Sequence, residues 1–284
     1  RLEGHDSTFI DSFDVRFSPQ DSLLGGKAVL EMLASENSRF HASISKGYKS
    51  GGFNTSGSLD EPLRLFEPEI LWNIELGWIV EFEKSDASLR ALLFRMDRSD
   101  VQISTSIVRV REDGSSEFVE FTGNAAEGVN QGLELEYAQR VNAVARIRAS
   151  LGLLNSRYNG YNSPAGEDLN GRDQAHAPSY QYSFSATFGG VSDWFGDIVI
   201  QGQDGFYFSD THDFQSDAHA VINLGLGRYI GDVEARFWIK NLMDQEYSVR
   251  GFFFGNDPRT GYADTGWTQM GNPRQFGISI RKDF

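Results

Sequence analysis

The sequence predicts an all-β protein whose strands form an antiparallel transmembrane β-barrel. Three observations support this prediction: apolar and polar residues alternate along most of the chain, the alternating segments have similar lengths, and the connections between them are short and long in turn. Only 39% of the 284 residues are hydrophobic, whereas 13% are aromatic. A transmembrane barrel needs little aliphatic core because only every second strand residue faces lipid.

Alternation is clearest in residues 143–153. Apolar side chains such as Ile147 and Leu151 lie on one face of an extended chain, and polar ones such as Arg148 lie on the other. A helix would bring Arg146 and Ala149 to the same side and lose the pattern. Each predicted strand is long enough to cross the hydrocarbon layer, which takes roughly 9–11 residues. Twelve strands are predicted, at 9–18, 25–35, 38–48, 70–83, 86–99, 129–140, 143–158, 178–190, 193–207, 217–230, 232–247 and 272–284.

The connections fall into two classes that alternate along the chain. Short turns on one side and long loops on the other are typical of outer-membrane barrels, in which the turns are periplasmic. The 99–129 connection contains a hairpin-like pair, which we interpret as an extension of two strands above the membrane. The short connections lie at 35–38, 83–86, 140–143, 190–193 and 230–232, and the long ones at 18–25, 48–70, 99–129, 158–178, 207–217 and 247–272.

Composition excludes several other classes of protein. The net charge is −14, whereas nucleic-acid binding needs clustered Lys and Arg. The absence of cysteine excludes disulfides, zinc–thiolate sites and cysteine catalysis. No apolar run approaches the roughly 18 residues of a transmembrane helix. We expect neither a cofactor nor a metal site; the acidic loop 204–217 has the oxygen ligands of a Ca²⁺ site but not the spacing of a known one, and a solvated loop is the favoured interpretation.

The last predicted strand ends in an aromatic residue. Phe276, Ile278, Ile280 and Phe284 occupy alternate positions, and the direction of the strands places Phe284 at the periplasmic end. An apolar alternating strand with an aromatic carboxy-terminal residue resembles the signal that the outer-membrane assembly machinery recognises. These four residues are therefore the candidate assembly signal.

Three patches of sequence, taken in order, suggest a family. They are 45–54 with 66–69 and 73–77, then 130–136, and finally 240–247 with 271–277. In order and spacing they resemble the C-terminal part of the β-barrel of TonB-dependent outer-membrane receptors of the iron-complex, or siderophore, type. The resemblance covers nearly the whole chain.

The resemblance also predicts what lies outside this sequence. Family members have about 22 strands around a plug that fills the lumen, whereas twelve strands and no plug or TonB-engaging segment are recognisable here. We therefore expect residues 1–284 to be the C-terminal portion of a larger barrel, with the plug absent from this chain. A self-contained twelve-stranded barrel is the alternative, acting as a passive pore or as a hydrolase that uses Ser209 and His212.

The function implied by the resemblance is energy-coupled import of a scarce nutrient, most often a ferric siderophore, by an integral protein of the bacterial outer membrane that is not an enzyme. Cobalamin, haem or an oligosaccharide are alternative cargoes. The implied partners are the TonB-type energy-coupling complex, acting through a plug, the extracellular nutrient, lipopolysaccharide and the assembly machinery.

Candidate ligand contacts are the cations and aromatic residues of the long loops. Such side chains suit an anionic aromatic iron complex through charge and stacking. The candidates are Lys49, Arg64, Tyr161, Arg172, Arg250, Phe253, Arg259, Tyr262 and Trp267.

Overall fold

The fold is known from a computed structural model of the chain, in which nearly all regular structure is β-strand. No helix in the described part of the chain is long and apolar enough to span a membrane. Three short 3-10 turns, Glu61–Leu63, Glu83–Ser85 and Pro258–Thr260, are the helical elements among these residues. The structure describes residues 2–5, 12–15, 20–56, 59–110, 116–162, 168–189, 193–210, 212–255 and 257–282.

Eleven strands form one antiparallel sheet, and six shorter strands form three two-stranded sheets. In the large sheet each strand pairs with its neighbours along the chain, apart from the small sheets inserted in loops. The strands are β1 (Leu2–His5), β2 (Ser12–Val15), β3 (Gly26–Ser35), β4 (Ser38–Lys49), β5 (Gly52–Phe53), β6 (Leu65–Phe66), β7 (Glu69–Phe82), β8 (Ala87–Val110), β9 (Ser116–Arg140), β10 (Ala145–Asn159), β11 (Tyr180–Phe188), β12 (Trp194–Gln203), β13 (His219–Ile230), β14 (Val233–Lys240), β15 (Ser248–Phe254), β16 (Thr265–Met270) and β17 (Gln275–Lys282). The order in the large sheet is β17-β14-β13-β12-β11-β10-β9-β8-β7-β4-β3.

Eleven of the twelve predicted spans therefore lie in the large sheet. The predicted span 9–18 differs: its described part, β2, pairs with β1 in a separate two-stranded sheet. Among the described residues, β3 is therefore one edge of the large sheet. β17 is the other edge, and its outward side chains Phe276, Ile278 and Ile280 are 71–73% exposed. Phe284, the last residue of the candidate assembly signal, lies outside the described residues.

The large sheet has one apolar and one polar face, as the alternation predicted. Leu135, Leu151 and Tyr182 lie side by side on β9, β10 and β11. On the opposite face Glu136 lies beside Ser150. A wall of this kind has a lipid-facing and a lumen-facing side, because strand residues alternate between the two.

The connections alternate in length as predicted, so the sheet has a turn end and a loop end. The β8–β9 hairpin extends furthest at the loop end. Its pairing continues from Ala87 opposite Gln139 to Val110 opposite Ser116, well beyond the neighbouring strands. The prediction that 99–129 is a strand extension is therefore confirmed. Asp100, with φ 53°, interrupts the regular strand where the hairpin leaves the sheet.

Candidate functional site

The loop end is a packed layer rather than a set of separate loops. The described residues of the β4–β7 loop, 50–56 and 59–68, lie against the extended β8–β9 hairpin. The Asn54 side chain donates to the Thr122 carbonyl at 2.9 Å and accepts from the Thr122 N–H at 2.8 Å. It thus forms the two hydrogen bonds that the backbone of an adjacent antiparallel strand would form. Leu59 packs with Val119 and Phe121 in a buried cluster. The loop is therefore held by both hydrogen bonds and apolar contacts.

Two of the predicted ligand contacts belong to this part of the layer. Lys49 pairs with the buried Glu69 carboxylate at 3.2 Å, and Arg98 pairs with the other oxygen of Glu69 at 2.7 Å. The Lys49 side chain remains more than half exposed. Arg64 is buried, and its guanidinium donates to the Ser56 carbonyl at 3.0 Å. This hydrogen bond connects two parts of the same loop.

The loop that follows β10 packs on the other part of the same hairpin. Tyr158 and Tyr161 are buried against Val101 and Ile103. Burial, together with the nearby Asp210 carboxylate, raises the pKa of Tyr161 to about 12. The Tyr161 hydroxyl has no hydrogen-bond partner among the described residues. Tyr161 is thus an internal packing residue of the layer.

Arg172 joins this loop to the next one, residues 204–218. Its guanidinium donates to the Asp213 carboxylate at 2.5 Å and to the carbonyl of His212. The same guanidinium stacks on the Tyr207 ring, with its carbon 4.0 Å from the ring centroid. Asp210 adds a second link because its carboxylate accepts from the Ala175 N–H at 2.8 Å. We call this set of contacts the Arg172 clamp.

His212 lies beside the clamp in an apolar setting. Its ring is 5.4 Å from the Phe253 ring, and its Nδ1 accepts from the Phe214 N–H at 3.3 Å. Burial lowers the pKa of His212, and the Arg172 charge lowers it further. The ring is therefore held neutral near pH 7, with its Nδ1 engaged by the backbone.

The β15–β16 hairpin docks on loop 204–218 through aromatic rings. Gly251 lies directly beneath the Phe208 ring, where a Cβ atom would collide with it. A Cβ at Gly266 would lie 2.6 Å from the Phe214 ring. The two glycines thus allow the hairpin backbone to approach the rings closely. Phe206 and Phe208 are both buried in this layer.

The opposite face of the hairpin is an exposed ledge. Phe252 lies opposite Trp267 in the hairpin register, and each side chain is 42% exposed. The Arg250 guanidinium carbon lies 4.9 Å from the Phe252 ring centroid. The Phe254 ring completes the row, 6.3 Å from Trp267. The ledge, defined as Arg250, Phe252, Phe254 and Trp267, combines a cation with flat apolar surfaces.

The tip of the hairpin carries the other predicted contacts. Arg259 is almost fully exposed and forms a paired contact with Asp257, at 2.7 Å for its closest atoms. Hydrogen bonds from the Arg259 side chain and from its backbone N–H lower the pKa of Asp257. Tyr262 is exposed, with φ 60°, and its N–H donates to the Asp257 carbonyl at 3.1 Å.

The nine predicted ligand contacts therefore separate into two groups. Arg64, Tyr161 and Arg172 are buried and serve the packing of the loops. Lys49 and the five hairpin residues keep exposed surface. The sequence did not indicate Phe214 or Tyr207 as partners of these loops, and only the closely spaced Phe206 and Phe208 hinted at an apolar cluster. Among the described residues, no three His, Asp or Glu side chains are placed to hold a metal ion.

The amphipathic antiparallel wall and the packed loop layer define one side of a transmembrane barrel with a structured loop end. Residues 5–242 match the family model of the TonB-dependent receptor-like β-barrel. The chain belongs to this family. Its members are integral proteins of the bacterial outer membrane and are receptors and transporters, not enzymes. The hydrolase interpretation of Ser209 and His212 is thereby excluded.

Relatives agree with this assignment. The pesticin receptor of Yersinia pestis is 22% identical over 273 residues, which are 94% of this chain and 37% of that protein. The ferric yersiniabactin uptake receptor FyuA of Y. pestis superposes with a TM-score of 0.72 at 19% identity, over 91% of this chain and 37% of FyuA. The siderophore receptor PiuA of Acinetobacter baumannii gives 0.67 at 15% identity, over 89% and 35%. The copper transporter OprC gives 0.65 at 14% identity, over 90% and 39%. The chain thus spans little more than a third of the length of these relatives.

Proposed function

We propose that the protein imports a ferric siderophore across the outer membrane, with energy supplied through a TonB-type complex. In this proposal residues 1–284 form the C-terminal part of the receptor barrel, and the loop end faces the cell exterior, as long loops do in outer-membrane barrels. The siderophore receptors among the relatives support this cargo class. OprC, however, is described as a copper transporter, so the fold alone does not select the cargo.

The ledge is the observation on which the cargo proposal rests. An exposed guanidinium over an aromatic ring, next to a second pair of rings, offers charge and stacking to the same ligand. Ferric complexes of catecholate siderophores are anionic and carry flat aromatic rings, so both features are matched. We propose Arg250, Phe252 and Trp267 as first contacts, with Phe253, Tyr262, Arg259 and Lys49 contributing at the edges of the layer.

The buried group supports this surface. We propose that Arg64, Tyr161 and Arg172 hold the loops in place and so position the ledge. Lipopolysaccharide is proposed to contact the lipid-facing side near the loop end, where Lys46 lies 5.8 Å from the centroid of the exposed Trp72 ring. Phe276, Ile278, Ile280 and Phe284 are proposed as the signal for the assembly machinery.

Uptake of radiolabelled iron tests this function. Cells that express the full-length gene should accumulate iron from a ferric catecholate complex, and cells without the gene should not. Deletion of the TonB protein should abolish accumulation but leave surface binding of the complex intact. Accumulation that is independent of both the gene and TonB, or specific growth on haem or cobalamin instead, would contradict the proposal.

A further inference from the structure

The polar face of the sheet contains a recess that the loop site does not use. It lies toward the turn end, where β8, β9, β10 and β11 are adjacent, and has a volume of about 460 Å³. Arg90 and Arg148 line it, together with Glu136. Because all three side chains project from the polar face, the recess opens toward the lumen. Four hydroxyl side chains complete the lining, those of Ser88, Ser150, Ser183 and Ser185.

Within the part of the chain that the structure describes, the charges in this recess are not balanced. Arg90 approaches Glu136 only to 3.9 Å, and both side chains are about two-thirds exposed, so the pair is loose. Among the described residues, no carboxylate forms an ion pair with Arg148. Across the sheet, Asp197 on β12 is already paired with Arg236 at 2.6 Å, because Gly225 lets the two side chains meet over β13.

The neighbouring residues toward the turn end do not supply a partner either. A second recess there is shared by Arg148 with Arg146 and three acidic residues. Asp86 of this group pairs with Arg140 at 3.4 Å, and Glu83 accepts a hydrogen bond from the Asn37 side chain. The third acidic residue is Glu81. Among the described residues, Arg148 therefore keeps an exposed guanidinium on the lumenal wall, in a chain whose 284 residues carry a net charge of −14.

We propose that Arg148, with Arg90 and the flanking serine hydroxyls, forms an anion-binding recess that holds the carboxylate or phenolate oxygens of the cargo as it moves along the lumen. A guanidinium offers two parallel N–H donors to such oxygens, and hydroxyls can donate to the same group. The loose Arg90–Glu136 pair can open without a large penalty because exposed ion pairs contribute little. This inference rests on the proposed import of an anionic iron complex and adds a second contact point, beyond the ledge.

Bromide provides a direct probe of the recess. Crystals of the full-length receptor soaked in sodium bromide should show anomalous density between Arg148 and Ser183 in the wild type and in Arg148→Lys, and none in Arg148→Gln. An empty recess in the wild type would overturn the proposal. A carboxylate from another segment of the receptor on Arg148 would also overturn it, because the recess would then be an internal contact.

Transport measures the role of the recess. With a radiolabelled ferric catecholate complex, Arg148→Gln should keep the surface affinity of the wild type but import about tenfold more slowly, as expected for the loss of one charge-assisted hydrogen bond. Arg148→Lys should recover most of the rate. The matched control is Arg228→Gln, which removes a cation that pairs with Asp193 and stacks on Trp194 outside the recess, and it should import normally.

The outcomes separate this inference from the proposed function. Normal import by Arg148→Gln would show that the recess does not hold the cargo, while leaving the proposed receptor function intact. Bromide density in the recess would then mark an adventitious ion only. Failure of the wild type to bind or import the complex would contradict the proposed function itself and, with it, the transit role of the recess.

Discussion

Two contacts on the same loop, residues 204–218, are made in opposite ways. The loop after β10 is joined to it by the Arg172 clamp, which is a buried guanidinium with a carboxylate, a carbonyl and a stacked ring as partners. The β15–β16 hairpin is joined to it by aromatic rings that lie over Gly251 and Gly266. The first contact is directional and polar, and the second is apolar and depends on shape.

The difference between the two contacts indicates that parts of the loop layer differ in rigidity. Directional contacts to buried charged groups are costly to break because they leave unpaired partners, whereas apolar docking can be lost in small steps. We expect the described residues 168–179 and 204–210, with 212–218, to behave as one rigid support. The hairpin, which presents the ledge, should be the part whose docking is most readily adjusted.

The largest expected effect is that of breaking the clamp. Arg172→Ala removes the donor for Asp213 and for the His212 carbonyl, together with the cation that stacks on Tyr207, and should lower the local free energy of opening by about 3 kcal/mol. Hydrogen–deuterium exchange of the full-length receptor should show faster exchange in both 168–179 and 204–218. Arg172→Lys should not restore protection, since an ammonium cannot form the stacked planar contact. Unchanged exchange in either loop would show that the clamp does not join them.

The second prediction concerns the hairpin alone. Gly251→Ala places a methyl group against the Phe208 ring and should cost about 1–3 kcal/mol of docking energy by overpacking. Exchange should increase in 248–270 while 168–179 stays protected. Gly152→Ala is the matched control, because nothing lies within 4 Å of a Cβ at that position. Equal loosening of 168–179 by Gly251→Ala would remove the distinction between the two contacts.

A smaller effect is expected from pH. Because the folded state lowers the pKa of His212 below its ordinary value of 6.5, the unfolded or opened loop binds a proton more readily. The stability that the neutral His212 ring contributes to loop 204–218 should be fully present above pH 6.5 and should be lost as the pH falls through the folded-state pKa. Hydrogen–deuterium exchange of the loop, corrected at each pH for the intrinsic exchange rate, tests this trend. In His212→Gln the protection of the loop should depend less on pH. A loop that becomes more protected at low pH would contradict the assignment.

The smallest effect is predicted for the hairpin tip. Arg259 is paired with Asp257 in solvent, so Arg259→Ala should leave the exchange of 248–270 unchanged. A clear loss of protection would mean that the tip contributes to docking, and that the rings over the two glycines do not account for the hairpin position on their own.

The wall was predictable from sequence, and the loop contacts were not. Period-2 alternation is a local property, so the strands around Ile147 and Leu151 and the extension of the β8–β9 hairpin follow from neighbouring residues. One predicted span failed because the described part of 9–18 pairs locally with β1, and alternation does not reveal the partner of a strand.

The buried side chains of the loops show why site prediction was harder. Arg172 and Trp267 are both loop residues of a type suited to ligand binding, and no local feature separates them. Arg172 is buried because Tyr207 and Asp213 meet it from a loop about 40 positions away, and Trp267 is exposed because its hairpin docks through the opposite face. Such placement depends on contacts between loops, which composition and spacing do not encode.

Surface affinity tests the central claim most directly. Energy-depleted cells that express the full-length receptor would be titrated with a radiolabelled ferric catecholate complex. The Arg250→Ala/Trp267→Ala variant should bind it at least about tenfold more weakly than the wild type, given the usual size of cation–π and aromatic contacts. The control Arg228→Gln, which removes a cation at the turn end of the sheet, should bind within a factor of about two. Equal affinity of the ledge variant and the wild type would contradict the assignment of the ledge as the ligand-capture surface.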